Sequence, residues 1–267
     1  MQTEGVLVAV KLLLTPSIVV IATLAGRRFG RSASGWLIGL PLTSGPVTAF
    51  FAVEHGTHFA ARAALGSLGG AIAEVGFCIG YAAVARRAGW PYAVVAGSLS
   101  FAAVAAAVEA LPFDVRPASV TLLAVAAALS LLGGLALAPP VRFAAPTVQP
   151  ARSRWELAAR AATATVFLLA LTGLATTLGP RLSGLLAVYP LYSVVLAAFT
   201  QRLDGAAGAV QVLRGLLVGL FSFVLFYASL AGALTAVGTA GAFALATGLA
   251  LFTQALSLRP LARLATA

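Results

Sequence analysis

Runs of about 20 apolar residues recur along the whole chain, separated by short segments that carry glycine, proline or charge. A helix needs about 20 apolar residues to cross the hydrocarbon core of a bilayer. The pattern therefore predicts an all-α polytopic membrane protein and leaves open a tenth span or a re-entrant segment. The predicted spans, about nine in number, cover residues 5–26, 34–53, 60–85, 91–111, 118–138, 156–178, 182–200, 207–231 and 235–257.

The composition agrees with this class and excludes several others. Of the 267 residues, 61% are hydrophobic and only 9% are charged, whereas soluble chains carry about 25% charged residues. So few charges cannot cover a soluble surface, which excludes a soluble enzyme and a disordered protein. The net charge of +10 does not indicate nucleic-acid binding, because the basic residues form short clusters between apolar runs.

The basic residues also predict the orientation of the chain in the membrane. Cytoplasmic loops carry an excess of lysine and arginine. With the N-terminus outside, eleven arginines fall in cytoplasmic loops and two, Arg116 and Arg181, fall outside. We therefore expect a bacterial-type inner (cytoplasmic) membrane, an outside N-terminus and a cytoplasmic C-terminus. The cytoplasmic set is Arg27, Arg28, Arg31, Arg86, Arg87, Arg142, Arg152, Arg154, Arg202, Arg259 and Arg263.

Two segments of the chain resemble each other. Residues 34–56 align without gaps with residues 183–205, and nine of the 23 positions are identical, including Pro41 with Pro190 and Ser44 with Ser193. Five predicted spans separate the two segments, so the second copy crosses the membrane in the opposite sense. This predicts two inverted-topology repeats of four helices, an arrangement found in many secondary transporters. The first repeat covers residues 1–111, a connector helix and cytoplasmic hinge loop cover 112–154, and the second repeat covers 155–267.

The repeated segments contain prolines in the middle of spans 2 and 7. Proline removes a backbone donor and clashes with the preceding turn, so both helices are expected to break. Inside a membrane, freed backbone groups are tolerated only in protein or beside a wet cavity. The broken helices 2 and 7 are therefore the predicted substrate site, and a simple proline kink is the alternative. The residues assigned to it are Pro41, Thr43, Ser44, Gly45, Pro46, Thr48, Pro190, Tyr192 and Ser193.

Three of the charged residues within predicted spans are candidates for a functional role. A carboxylate in mid-span, such as Glu74, is expensive and suggests a functional role. We assign it to ion coupling, with a structural hydrogen bond as the alternative. Lys11 and Arg160 occupy matching positions in spans 1 and 6, where they could guide an anionic substrate. The alternative for both is that the side chain extends to the interface.

Motifs of enzymes and metal sites are missing from the sequence. His55 and His58 share an outside loop but provide too few ligands for a metal. There is no His-Glu-x-x-His motif, Walker loop or nucleophile elbow. We predict no enzymatic activity, no metal and no cofactor.

The stretch from Gly39 to Ala83 places a helix broken by proline and glycine before a short polar loop and a glycine-rich helix. It resembles the LrgB/CidB family of bacterial membrane proteins, in which a Gly-Pro pair, here Gly45-Pro46, opens an equivalent segment. Its layout is also similar to that of bile acid:sodium symporter-type proteins, which pair broken helices in inverted repeats. The second copy departs from this pattern, with Val194 and Val195 in place of Gly-Pro. The resemblance implies an elevator-type or related secondary transporter.

The predicted function is therefore transport of a small polar or anionic metabolite by alternating access between the two repeats. The expected partners are that substrate, the lipid bilayer and H⁺ or Na⁺ as coupling ion, with no nucleic acid; homo-oligomerisation stays open. One alternative is a non-transporting membrane module, such as an LrgB-like pore partner or an assembly factor. A lipid-modifying membrane enzyme is a weaker alternative, because it needs clustered acids or histidines at one interface.

Overall fold

A computed structural model describes residues 2–42, 44–112, 114–138, 155, 157–166, 170 and 189–258 of the chain. Within these ranges helices are the only regular secondary structure, which confirms the all-α class for this part of the chain. The helices are α1 (Gln2–Phe29), α2 (Arg31–Ile38), α3 (Ser44–Glu54), α4 (Thr57–Ala85), α5 (Trp90–Glu109), α6 (Pro117–Leu137), α7 (residues 157–166) and α8 (Leu191–Leu256).

Four of the described helices, α4, α5, α6 and α8, are long and apolar enough to cross a membrane. At a rise of 1.5 Å per residue, 66 continuous helical residues in α8 would extend about 100 Å, several times the thickness of a bilayer core. Two glycines with left-handed backbone angles interrupt it, Gly205 at φ 78° and Gly238 at φ 74°. They divide α8 into α8a (residues 191–204), α8b (residues 206–237) and α8c (residues 239–256).

The helix boundaries modify the predicted spans in two places. Predicted span 2 is divided into α2 and α3 by a non-helical segment that contains Pro41. The boundary predicted at residues 232–234 lies instead at Gly238, because the chain remains helical through Gly232 and turns where φ is positive. The hinge loop 139–154 and most of residues 167–188 lie outside the described residues.

Glycines allow close backbone contacts between the two halves of the chain. A Cβ atom on Gly39 would lie 2.6 Å from the carbonyl carbon of Gly219, and one on Gly215 would fall on the carbonyl oxygen of Ser32. Helices α2 and α8b therefore touch backbone to backbone. In a membrane, where lipid is as apolar as the side chains, such close packing is a main source of association between helices.

Contacts along the helices establish their relative directions. Gly35 packs against Val212 and Gly39 against Gly219, so α2 and α8b run parallel. Ser193 contacts Glu74, and Gln201 donates from Nε2 to the carbonyl oxygen of Ala85 at 3.0 Å, so α8a and α4 also run parallel. Helix α4 folds back on α3, with the Phe51 and Phe59 rings 5.4 Å apart. Helix α3, which follows the break, thus lies antiparallel to α8a.

We expect Gly215→Ala to destabilise the protein by about 1–3 kcal/mol or more, because the added methyl group meets backbone that cannot rotate away. The matched control is Gly232→Ala on the same helix, where a Cβ atom has open space. That change should raise stability by about 0.5–1 kcal/mol. Unfolding midpoints of the purified variants in detergent test the pair, and equal effects at the two positions would contradict the packing described here.

Candidate functional site

One face of α4 carries a line of polar side chains through the apolar bundle. Ser67, Glu74, Cys78 and Tyr81 follow each other at intervals of seven, four and three residues, which places them on one side of a helix. Glu74 is half-buried, and about 16 Å of helix separate it from the end of α4 at Ala85. It therefore lies near the middle of a segment long enough to span a bilayer.

Glu74 is hydrogen-bonded to the second half of the chain. The Ser193 hydroxyl, which is 2% exposed, donates to Glu74 Oε1 at 2.8 Å. Ser193 lies in the first turn of α8a, whose N-cap residue is Pro190. A proline at a helix start positions the backbone without removing a needed donor. The carboxyl group thus depends on a hydroxyl held by the start of this helix.

A second polar cluster joins α3, in the first half of the chain, to α8b, in the second half. The Tyr227 hydroxyl of α8b, in a fully buried side chain, lies 3.4 Å from Thr48 Oγ1 of α3. The hydroxyls of Ser44 and Ser67 also interact with it. The rings of Phe223 and Phe226 pack beside the Tyr227 ring, with centroids 4.6 and 5.0 Å away. The Tyr227 side chain is consequently buried among aromatic rings.

The break between α2 and α3 presents the residues of this cluster. The Gly45 N–H donates to the carbonyl oxygen of Pro41 at 3.0 Å, which satisfies one backbone group at the break. Gly45 is buried beside Phe226, where a Cβ atom would still fit at 3.5 Å. Ser44 begins α3, and Thr48 donates to its carbonyl oxygen at 2.9 Å. Pro46 is exposed.

The remaining predicted site residues lie apart from these clusters or outside the description. Tyr192 is half-buried and packs against a separate apolar cluster that includes Val19 and Val195. The placement of Thr43 and the side chain of Lys11 lie outside the described residues. The structure therefore brings Ser44 and Thr48 to Tyr227, and Ser193 to Glu74, without gathering all nine residues of the predicted site.

Arg160 does not extend to solvent. Its side chain is 3% exposed, and its guanidinium lies 5.3 Å from the centroid of the Phe199 ring. This is a cation–π contact within the protein. Arg160 is thus packed at the end of the bundle that also carries Arg27 and Arg31.

A cavity of about 450 Å³ lies between α4, α5 and the start of α6, within the usual range for ligand sites. Arg62, Glu109 and Asp114 contribute its charged groups, and Gly66 and Gly70 line its wall on α4. Gly70 lies one helical turn before Glu74. The cavity thus opens at the end of the bundle opposite Arg160 and extends towards the line of polar residues on α4.

Hydrogen bonds fix the charge of one group at this cavity. Asp114 Oδ1 accepts from the Ser119 hydroxyl at 2.8 Å and from the Arg116 N–H at 3.1 Å. These bonds, the Ser119 bond first, lower the pKa of Asp114 below its ordinary value. A negative charge is therefore held close to the first turn of α6, where the helix dipole favours it.

Tyr227 is the main site residue that the sequence analysis missed. A tyrosine in an apolar run is typical of core packing, because nothing in the local sequence indicates a role for its hydroxyl. Its position corresponds to Cys78 when the two repeated segments are aligned, one turn beyond the position of Glu74. That alignment was the one signal that could have drawn attention to it.

The chemistry available here is binding and proton exchange. No group of three or more metal-ligating side chains occurs in the described part of the chain. Comparison with protein families, with curated proteins and with solved structures gives no match. The functional argument therefore depends on the geometry of this chain, and the resemblance to the LrgB/CidB family stays a prediction.

We predict that Ser193→Ala lowers the free energy of unfolding by about 1–3 kcal/mol, because it removes a donor from the half-buried carboxyl group of Glu74. In a Glu74→Leu background the same change should cost little, since neither partner is then polar. A double-mutant cycle measures this coupling. The control is Ser229→Ala, whose hydroxyl bonds to carbonyls of its own helix. Additive costs for the two changes would show that the pair is not energetically coupled.

Proposed function

We propose that this protein is a secondary transporter that moves a small polar or anionic metabolite across the inner membrane by alternating access. The observation that carries the proposal is the hydrogen bond between Glu74 and Ser193, which joins the two halves at mid-span. A carboxyl group in this position is costly in a membrane unless it has a function. The proposal includes nine spans, an outside N-terminus and the two inverted repeats predicted from the sequence.

The helix junctions support the repeat. Gly56 and Gly205 are equivalent in the alignment, and both have positive φ values, 84° and 78°, just before a long helix begins. Extending the same alignment pairs Gly89 with Gly238, and each again precedes a helix, α5 or α8c. The helices α3, α4 and α5 thus correspond in order to α8a, α8b and α8c.

The directions of the helices support the inversion. Because α2 is parallel to α8b and α8a is parallel to α4, the corresponding helices of the two halves oppose each other. The equivalent serines, Ser44 and Ser193, also make reciprocal contacts with the opposite half. Ser193 contacts Glu74 on α4, and its counterpart Ser44 interacts with Tyr227 on α8b. Each half therefore contributes the hydroxyl that faces a polar group of the other half.

In this mechanism the hydroxyls of Ser44, Thr48 and Ser193 bind the polar groups of the substrate, and Glu74 carries the coupled proton. A substrate entering through the 450 Å³ cavity meets Glu74 one turn beyond Gly70. When it binds Ser193, it replaces the hydrogen bond that links α4 to α8a. Loss of that link couples binding to movement of one half relative to the other, which is the requirement for alternating access.

The experiment has two stages. Small carboxylates, amino acids and other polar metabolites are first screened for stabilisation of the purified protein, because a ligand that binds the folded state raises its melting temperature. A hit is then tested for uptake into proteoliposomes with an imposed pH gradient. We expect Glu74→Gln to abolish gradient-driven uptake, whereas Ser229→Ala, at a hydroxyl that bonds to carbonyls of its own helix, should leave it unchanged.

Stabilisation that is lost in Ser44→Ala/Ser193→Ala supports the binding site. Stabilisation that persists in the double variant places the substrate elsewhere. Uptake by Glu74→Gln that still follows the pH gradient would contradict the role of Glu74. If no compound on a broad panel binds, the proposal loses its standing over a non-transporting membrane module.

A further inference from the structure

A small cleft at the basic end of the bundle has the properties of an anion site. It lies where the end of α1 and the start of α2 meet α7 and α8a. Its lining includes buried side chains together with exposed Arg27 and partly exposed Arg31. The residues that carry the argument are Thr23, Arg27, Arg31, Arg160, Thr200 and Asp204.

Positive charge predominates among the described lining residues of the cleft. Three guanidinium groups line it, and Asp204 is the one acidic residue among its described lining residues. Asp204, whose side chain is 6% exposed, forms an ion pair with Arg31, with Nε and Oδ2 3.0 Å apart. Among the described lining residues, the excess of guanidinium groups over carboxylates favours an anionic ligand.

Thr23 provides an independent observation. It is 5% exposed, and its hydroxyl has no hydrogen-bond partner. A buried hydroxyl without a partner is uncommon and calls for an explanation such as an unseen ligand. The cleft that Thr23 lines has a volume of about 20 Å³, which is room for one oxygen-sized group.

We propose that this cleft binds a phosphoryl group. One phosphoryl oxygen occupies the cleft and accepts a hydrogen bond from the Thr23 hydroxyl. Arg27 and Arg31 bind the other oxygens. Guanidinium groups match phosphate geometry with paired donors, and Arg160 is held in place by the Phe199 ring. The phosphoryl group comes from the headgroup of an anionic phospholipid or from free phosphate. In the orientation of the proposed function, this end of the bundle faces the cytoplasm. Basic pockets there bind lipid headgroups, which favours the phospholipid as the source of the phosphoryl group.

The test is a thermal unfolding titration of the full chain in neutral detergent, at constant ionic strength set with chloride. The probes are short-chain phosphatidylglycerol, short-chain phosphatidylcholine and inorganic phosphate. We expect Arg27→Gln to weaken binding about fivefold. Thr23→Val, which keeps the shape of the side chain, should weaken it about tenfold or more. Arg28→Gln is the matched control, because this neighbouring arginine lies over Phe29 rather than in the cleft.

Stabilisation by phosphatidylglycerol alone identifies the lipid headgroup as the source, and stabilisation by inorganic phosphate identifies the free anion. Either result supports the site only when Thr23→Val and Arg27→Gln reduce it and Arg28→Gln does not. If Arg27→Gln fails to fold, Thr23→Val still decides the question, because it removes only a hydroxyl without a partner. Equal stabilisation of wild type and Thr23→Val, or no stabilisation by any phosphate-containing probe, would overturn the proposal. The cleft does not require transport, so its failure leaves the proposed function unaffected.

Discussion

The backbone contact between α2 and α8b determines where the polar groups of this protein meet. Gly39 and Gly219 allow the two helices to approach closely, and Gly215 brings the same pair together one turn earlier. With α2 fixed in this way, the chain that follows the break carries Ser44 and Thr48 to Tyr227. Arg31, at the start of α2, is likewise placed beside Asp204. A bulkier residue at this contact would separate both sets of partners.

A single carboxyl group imposes the second constraint. Glu74 lies far from either end of α4, so the protein must supply its hydrogen bonds from within the bundle. The described donor is Ser193, from the other half of the chain. The contact between the halves therefore also stabilises the carboxyl group of Glu74, whether that group is charged or protonated. A substrate that competes for the same hydroxyl can therefore act on the arrangement of the halves.

The sequence predicts the all-α class and the presence of apolar helices long enough to cross a membrane, because membrane-spanning length and apolar composition are local properties. It also selects Glu74, Ser44 and Ser193 individually, since polar groups within apolar runs are conspicuous. It does not predict that Glu74 pairs with Ser193, because that depends on how α4 packs against α8a. Tyr227 was missed for the same reason. For Arg160 the sequence offers two interpretations, a guide for an anionic substrate or a side chain that extends to the interface. Tertiary packing, which the sequence does not show, places it over Phe199.

The central claim, that the two halves cross the membrane in opposite senses, is tested most directly by the sidedness of one pair of equivalent residues. His58 and Ala207 are both exposed, and each lies two residues after an equivalent glycine, Gly56 or Gly205. Each is changed singly to cysteine in a Cys78→Ala background, which removes the one native cysteine. Intact cells are then treated with a membrane-impermeant maleimide. The account predicts labelling of His58→Cys in intact cells and of Ala207→Cys only after permeabilisation. Labelling of both positions from the same side would contradict it.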